Sequence, residues 1–143
     1  MKREVLVSIS GSQQESGEDA LEVLLPGQYY KRKDTHYIKY DQYDEDTGEL
    51  LKNTIKVKGD SVELKKTGYS NVRMYFKENS HYTSYYDMRE GSLLMETHTG
   101  KVQVREQEDS MDIMLEYDLY LNEQYISNCQ VAIKVVERSG VGE

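Results

Sequence analysis

Alternation is the property of this chain that most restricts how it can fold. Apolar and polar residues trade places at every second position along nearly the whole length, the period of a strand with one buried face. Val5, Val7 and Ile9 alternate with Leu6, Ser8 and Ser10. Ile55 and Val57 flank Lys56, and Val62 and Leu64 flank Glu63. Val72, Met74 and Phe76 alternate with Arg73, Tyr75 and Lys77. The most persistent run is Met111, Ile113, Leu115, Tyr117, Leu119 and Leu121, set against Asp112, Met114, Glu116, Asp118 and Tyr120. Val131, Ile133 and Val135 complete the series. Turn residues separate the runs at intervals too short for helical crossovers, so the strands follow one another as an antiparallel meander.

About ten such runs are legible, near 3–12, 19–31, 34–43, 49–58, 61–67, 71–78, 80–88, 92–106, 110–121 and 127–137. A flat sheet of that many strands would leave two open edges, and closing it on itself removes them. The fold expected is therefore all-β, a single antiparallel up-and-down β-barrel of about 8–10 strands. Its core would span about 3–137 of a single 1–143 domain, with 138–143 as a flexible tail. A barrel of that size holds either a filled interior or one small ligand.

Three turns carry register information. Gly59-Asp60 suits a two-residue hairpin that pairs Val57 with Val62 and Ile55 with Leu64 on one face, and Lys56 with Glu63 on the other. Arg89-Glu90-Gly91 fits a three-residue loop, which places Tyr86 opposite Leu94 and Tyr82 opposite His98. Gly100, inside a long extended run, marks a bulge or bend of the kind closed sheets use at their corners. Ser16 to Leu25 admits two readings. Ser16 could cap a helix whose stripe is Ala20, Leu21, Leu24 and Leu25, yet Leu21, Val23 and Leu25 also alternate and Pro26-Gly27 stops the run. The strand is the reading adopted.

The order of landmarks resembles a known family. Gly27-Gln28-Tyr29-Tyr30, Tyr37-Ile38-Lys39-Tyr40-Asp41 and Thr54-Ile55-Lys56-Val57 are similar to the opening half of the YwiB-like family of small bacterial proteins. Lys66-Thr67-Gly68, Met74-Tyr75-Phe76, Tyr86 through Gly91, Thr97 with Gly100, and Leu115-Glu116-Tyr117-Asp118-Leu119 continue the resemblance. It covers about residues 3–137 and implies a calycin-like, lipocalin-resembling barrel whose biochemical role is not established. Two positions depart from the pattern the resemblance implies: Lys66 stands where arginine is expected, and Met88-Arg89 where a Thr-Pro turn is expected.

Composition excludes several chemistries. A single cysteine, Cys129, rules out an intramolecular disulfide and a cysteine-based zinc cluster. It shares the inward phase of Val131, which makes it a buried, inert thiol. No run approaches ~18 apolar residues, and residues 1–10 lack the continuous apolar block of a signal peptide, so the expected location is cytoplasmic. The formal net charge of −8 makes nucleic acid and anionic membranes poor partners. That charge is uneven. Residues 52–77 carry Lys52, Lys56, Lys58, Lys65, Lys66, Arg73 and Lys77, whereas 106–133 hold seven acids and no Lys or Arg. Pairing of oppositely charged strands within the domain explains this most simply.

No catalytic constellation emerges: there is no nucleophile elbow, phosphate loop or dinucleotide fingerprint. Asp112, Glu116 and Asp118 lie on a solvated face, not in the desolvated cleft that acid–base work needs. The register proposed for 80–98 gives His81 and His98 opposite phases, which separates their rings and leaves Glu96 without a metal-binding pair. What remains is an excess of tyrosine, 13 against one Phe and no Trp. Tyr29, Tyr37, Tyr43, Tyr85 and Tyr117 are assigned inward, where phenol rings and hydroxyls could line a lumen for a ligand. The reading is thus a non-enzymatic barrel without cofactor or metal that binds a small molecule in its interior or mouth. Its alternative is a filled barrel that meets a basic protein partner through the acidic final third. Oligomeric state is not legible.

Overall fold

A computed structural model describes residues 1–13 and 21–138. Ten antiparallel strands account for most of them: β1 (Glu4–Gln13), β2 (Leu21–Arg32), β3 (Thr35–Tyr43), β4 (Leu50–Lys58) and β5 (Ser61–Gly68). β6 (Val72–Phe76), β7 (Ser80–Met88), β8 (Gly91–Glu106), β9 (Ser110–Leu121) and β10 (Gln124–Glu137) complete the set. Every strand pairs with its chain neighbours except across β6 and β7, and β1 pairs with β10, so the sheet runs β6-β5-β4-β3-β2-β1-β10-β9-β8-β7. The two ends of this order, β6 and β7, meet through a single Asn71–Asp87 bridge, with two amide–carbonyl bonds of 2.8 Å. The Ser84 hydroxyl also donates to the Arg73 carbonyl across that seam, at 2.8 Å. The result is a nearly closed all-β barrel. No helix is long and apolar enough to cross a membrane.

The strand reading of Leu21–Leu25 holds, since those residues pair with β1 from Leu21↔Gly11 to Leu25↔Val7. The capping role considered for Ser16 lies outside the described residues. So does most of the expected tail, from 139 onward; Arg138 is tied to the barrel by its amide, which donates to the Glu4 carbonyl at 2.8 Å. β10 begins at Gln124 and not at 127, because Asn122 and Glu123 take positive φ (49° and 69°) and turn the chain in two residues.

The Gly59-Asp60 hairpin has the expected register, Val57↔Val62, Lys56↔Glu63 and Ile55↔Leu64. Gly59 has φ +58° and Asp60 does not enter the positive region, which is the II′ form that follows strand twist. Gly100 is a bulge, with register shifting between Thr99↔Tyr117 and Lys101↔Glu116. It lets Thr99 and Val102, three positions apart, both face inward. The Arg89 loop differs from expectation. The ladder closes on Met88↔Gly91, leaving Arg89-Glu90 as a two-residue turn, so Tyr86 faces Leu93, Tyr82 faces Thr97 and His81 faces His98. A single-residue slip moves every side chain of one strand to the other face relative to its partner.

Inward-facing aliphatics fill the middle of the barrel. Val5, Val7, Ile38, Ile55, Val57, Val62, Phe76, Met111, Ile113, Ile133 and Val135 are each at most 1% exposed and form one continuous cluster. Phe76 meets Tyr117 across this interior with ring centroids 4.8 Å apart.

Candidate functional site

The five tyrosines assigned inward divide. Tyr29 and Tyr117 are buried in the core. Tyr37, Tyr43 and Tyr85 are not in the lumen, which corrects the sequence assignment. On β3 the buried phase is His36, Ile38 and Tyr40, so Tyr37 and Tyr43 fall on the outer face. Tyr37 stacks there on Tyr30 (4.9 Å, 10°) with the Lys56 ammonium 5.8 Å from its ring, and Tyr43 is 64% exposed. Tyr85 is equally exposed, because on β7 Tyr82 and Ser84 share the face of Thr97 and Met95. β7 contains no aliphatic residue before Met88, so nothing local sets its phase; its pairing to β8 does. Tyr40 is a buried inward tyrosine outside that set, and its phase with Ile38 is the signal for it. Burial pushes its phenol pKa up to about 12.

At one end of the interior, Tyr29 and His36 make a buried polar pair. The Tyr29 hydroxyl lies 2.7 Å from His36 Nδ1, and His36 Nε2 lies 3.3 Å from a Glu106 carboxylate oxygen. A phenol, an imidazole and a carboxylate in line invite comparison with an activated nucleophile. Burial, then the Glu106 charge, raise the Tyr29 pKa, so the phenol holds its proton and orders the barrel end instead. Tyr29→Phe is expected to lower stability by about 1–3 kcal/mol, since it leaves a buried imidazole nitrogen unpaired. Urea unfolding would measure it, and an unchanged midpoint would refute the role.

The end that carries the β3–β4 turn is polar in a different way. Tyr40, Asn53 and Lys66 are cross-strand partners on β3, β4 and β5 and share the inward face. Asn53 is 3% exposed; its amide group donates to Gln42 Oε1 (3.1 Å) and to the Leu51 carbonyl (3.3 Å), while its Oδ1 has no partner. Lys66 stands beside it without an ion-pair partner among the described residues, and burial lowers its pKa. Away from this strand trio, on β8, the buried hydroxyls of Thr97 and Thr99 have no hydrogen-bond partner among the described residues. Leu64, two residues before Lys66 on the same face, and Met74 opposite it supply an apolar flank. Buried polar atoms are nearly always satisfied, so the unpartnered Asn53 Oδ1 beside the Lys66 strand position marks a place that can take polar atoms from outside.

The outer surface carries the remaining candidates. Asp112 sits between Arg105 and Lys134 across the ladder, and Glu116 opposite Lys101. Glu116 and Asp118 both accept from Asn128 Nδ2, at 2.9 and 3.0 Å. The charge asymmetry along the chain is thus partly neutralised between strands. Cys129 is buried, with its sulfur 3.5 Å from the Ser127 hydroxyl. The corrected register brings His81 and His98 together on this outer face, with Glu96 against His98.

Fold and site together define a small, nearly closed antiparallel barrel with a packed middle and polar groups at both ends. The chain belongs to the family described as Domain of unknown function (DUF1934), whose model matches residues 7–133. It is similar to the crystal structure of the ywiB protein from Bacillus subtilis, at 19% identity, with 96% of this chain and 93% of that chain covered and a TM-score of 0.82. At that identity the likeness is one of fold. No curated protein matches the sequence.

Proposed function

We propose that this barrel binds a small organic anion at the end that carries the β3–β4 turn, with Lys66 as the charge that selects it. The observation that carries the reading is an inward-facing, largely desolvated amine with no carboxylate partner among the described residues. Lys66 is half-buried, and a cation partly withdrawn from water without a counter-charge is costly. An anionic head group would neutralise Lys66, while Asn53 Oδ1 could accept from a donor on the same ligand. Leu64 and Met74 would pack on its apolar body. The expected arginine position of the family pattern is this lysine, so a cation at the barrel end is kept while its bidentate fork is not.

Binding and stability should separate in one variant. Lys66→Met is expected to raise the melting temperature of the unliganded protein, because the folded pKa lies below the unfolded value of 10.5. The amine therefore destabilises the fold at neutral pH; this penalty fades as pH rises from the lowered pKa to 10.5 and is gone above it. Octanoate, benzoate and phenyl phosphate serve as probes in thermal shift and native mass spectrometry. At least one should raise the wild-type melting temperature and form a 1:1 complex, and Lys66→Met should abolish both. No response to any probe, or an equal response in the variant, would sink the reading.

A further inference from the structure

We propose that His81, Glu96 and His98 form a binding site for a divalent transition-metal ion of borderline softness, with Zn²⁺ as the type, on the outer wall of β7 and β8. This inference is independent of the anion site, which faces the interior. Its geometry follows from the register. His81↔His98 is a direct cross-strand pair, and Glu96 stands two positions before His98 on the same face. The two imidazole rings stack with centroids 3.6 Å apart and planes 6° from parallel. One ligand atom from each of His81, Glu96 and His98 lies within 4.8 Å of the others. Glu96 Oε2 touches His98 Nε2, so two of the three donor atoms already converge on one point.

Two imidazole nitrogens and one carboxylate oxygen are the donor set of three-ligand zinc sites, which keep a fourth position open. Mg²⁺ and Ca²⁺ prefer all-oxygen shells and are poorly served. In tetrahedral zinc the donor atoms stand roughly 3.3 Å apart, given bonds of about 2.0–2.1 Å, so the stacked rings must turn apart about their side-chain torsions before both in-plane lone pairs meet one ion. An ion entering between Glu96 and His98 replaces their direct contact.

The surroundings favour a cation and hold the ligands. Asp118 is the cross-strand partner of His98 on β9, and the Gly100 bulge brings Glu116 beside them, lining a groove of about 350 Å³ with His81 and His98. Tyr120, opposite Glu96, packs its ring 4.5 Å from that of His98 and steadies its plane. Asn128, on β10, donates to both Glu116 and Asp118 and fixes their orientation. Lys101 is the cation of this region and stands opposite Glu116, one bulge away from His98. His81 is exposed, so the site is open to solvent.

The test uses the intact protein and zinc chloride alone. Calorimetry at pH 7.5 should give one Zn²⁺ per chain. His81→Gln and His98→Gln should each weaken it more than about 100-fold, beyond the roughly 10–100-fold that loss of an outer-shell partner costs. At pH 5.5 binding should fall, because protons compete with the metal for imidazole nitrogens. In wild-type spectra of the imidazole nitrogens, Zn²⁺ should shift His81 and His98 and leave the interior His36 in place; this readout stands even if a variant folds poorly. Magnesium chloride should shift neither. Zinc that binds without moving these two histidines, a variant that binds as the wild type does, or no binding at pH 7.5 would each overturn the site.

Discussion

Phe76→Ala should cost about 3–5 kcal/mol, the range for deleting a large buried ring and leaving a cavity. Phe76 is fully buried on β6, a strand of five residues that forms one side of the barrel seam. Its ring reaches across the interior to Tyr117 on β9. Among the described residues the seam carries one bridge, one side-chain hydrogen bond and a Tyr75–Tyr82 ring contact at 5.9 Å, so the packing of Phe76 against the interior supports a lightly bonded closure. Domains of this size are stable by roughly 5–15 kcal/mol, which makes the change a large fraction of the total. A melting point lower by about 10 °C or more is the expected reading. Exchange of the β5 and β6 amides should accelerate before that of β9. A midpoint within a degree of the wild type would show that the seam does not depend on this ring.

Gly68→Ala is expected to be comparably damaging, for a backbone reason. Gly68 takes φ +152°, a conformation that side-chain-bearing residues rarely adopt, and holding one there costs about 1–3 kcal/mol. A Cβ at this position would also stand 2.3 Å from the Leu50 carbonyl oxygen and 3.2 Å from Leu51 Cα. Neither is the movable end of a side chain, so the β4–β5 ladder at Leu51↔Gly68 would have to open. That ladder positions Asn53 and Lys66, the pair two steps further along, so anion binding should weaken together with stability. Urea unfolding and the benzoate thermal shift measure the two effects separately. Retention of both would contradict the geometry. The glycine of the Lys66-Thr67-Gly68 motif thus has a steric basis, beside a lysine with a chemical one.

Much of the barrel was legible because its cues are local. Val57↔Val62 and Lys56↔Glu63 follow from one glycine turn whose two faces agree in both polarity and charge. The Gly100 bulge follows from a glycine inside a strand pattern. Where those cues thin out, inference from the chain weakens. Tyr37 and Tyr43 were assigned to the lumen although Ile38, in phase with Tyr40, marked the buried face of β3. On β7 no such marker exists, and Arg89-Glu90-Gly91 admits both a two-residue and a three-residue turn.

Alternation and turn residues alone therefore determined the class, the strand count, the meander order and most of the core, since a period of two and a tight turn are properties of neighbouring residues. They could not determine which polar side chains meet. The unpaired Lys66 beside Asn53 depends on three strands in register, and a lysine in an alternating run looks the same whether its face is wet or closed over. The His81–His98 pair depended on one residue of loop length. A slip of one position in a ladder leaves every residue's propensity unchanged and exchanges every face, so only the assembled sheet could decide it.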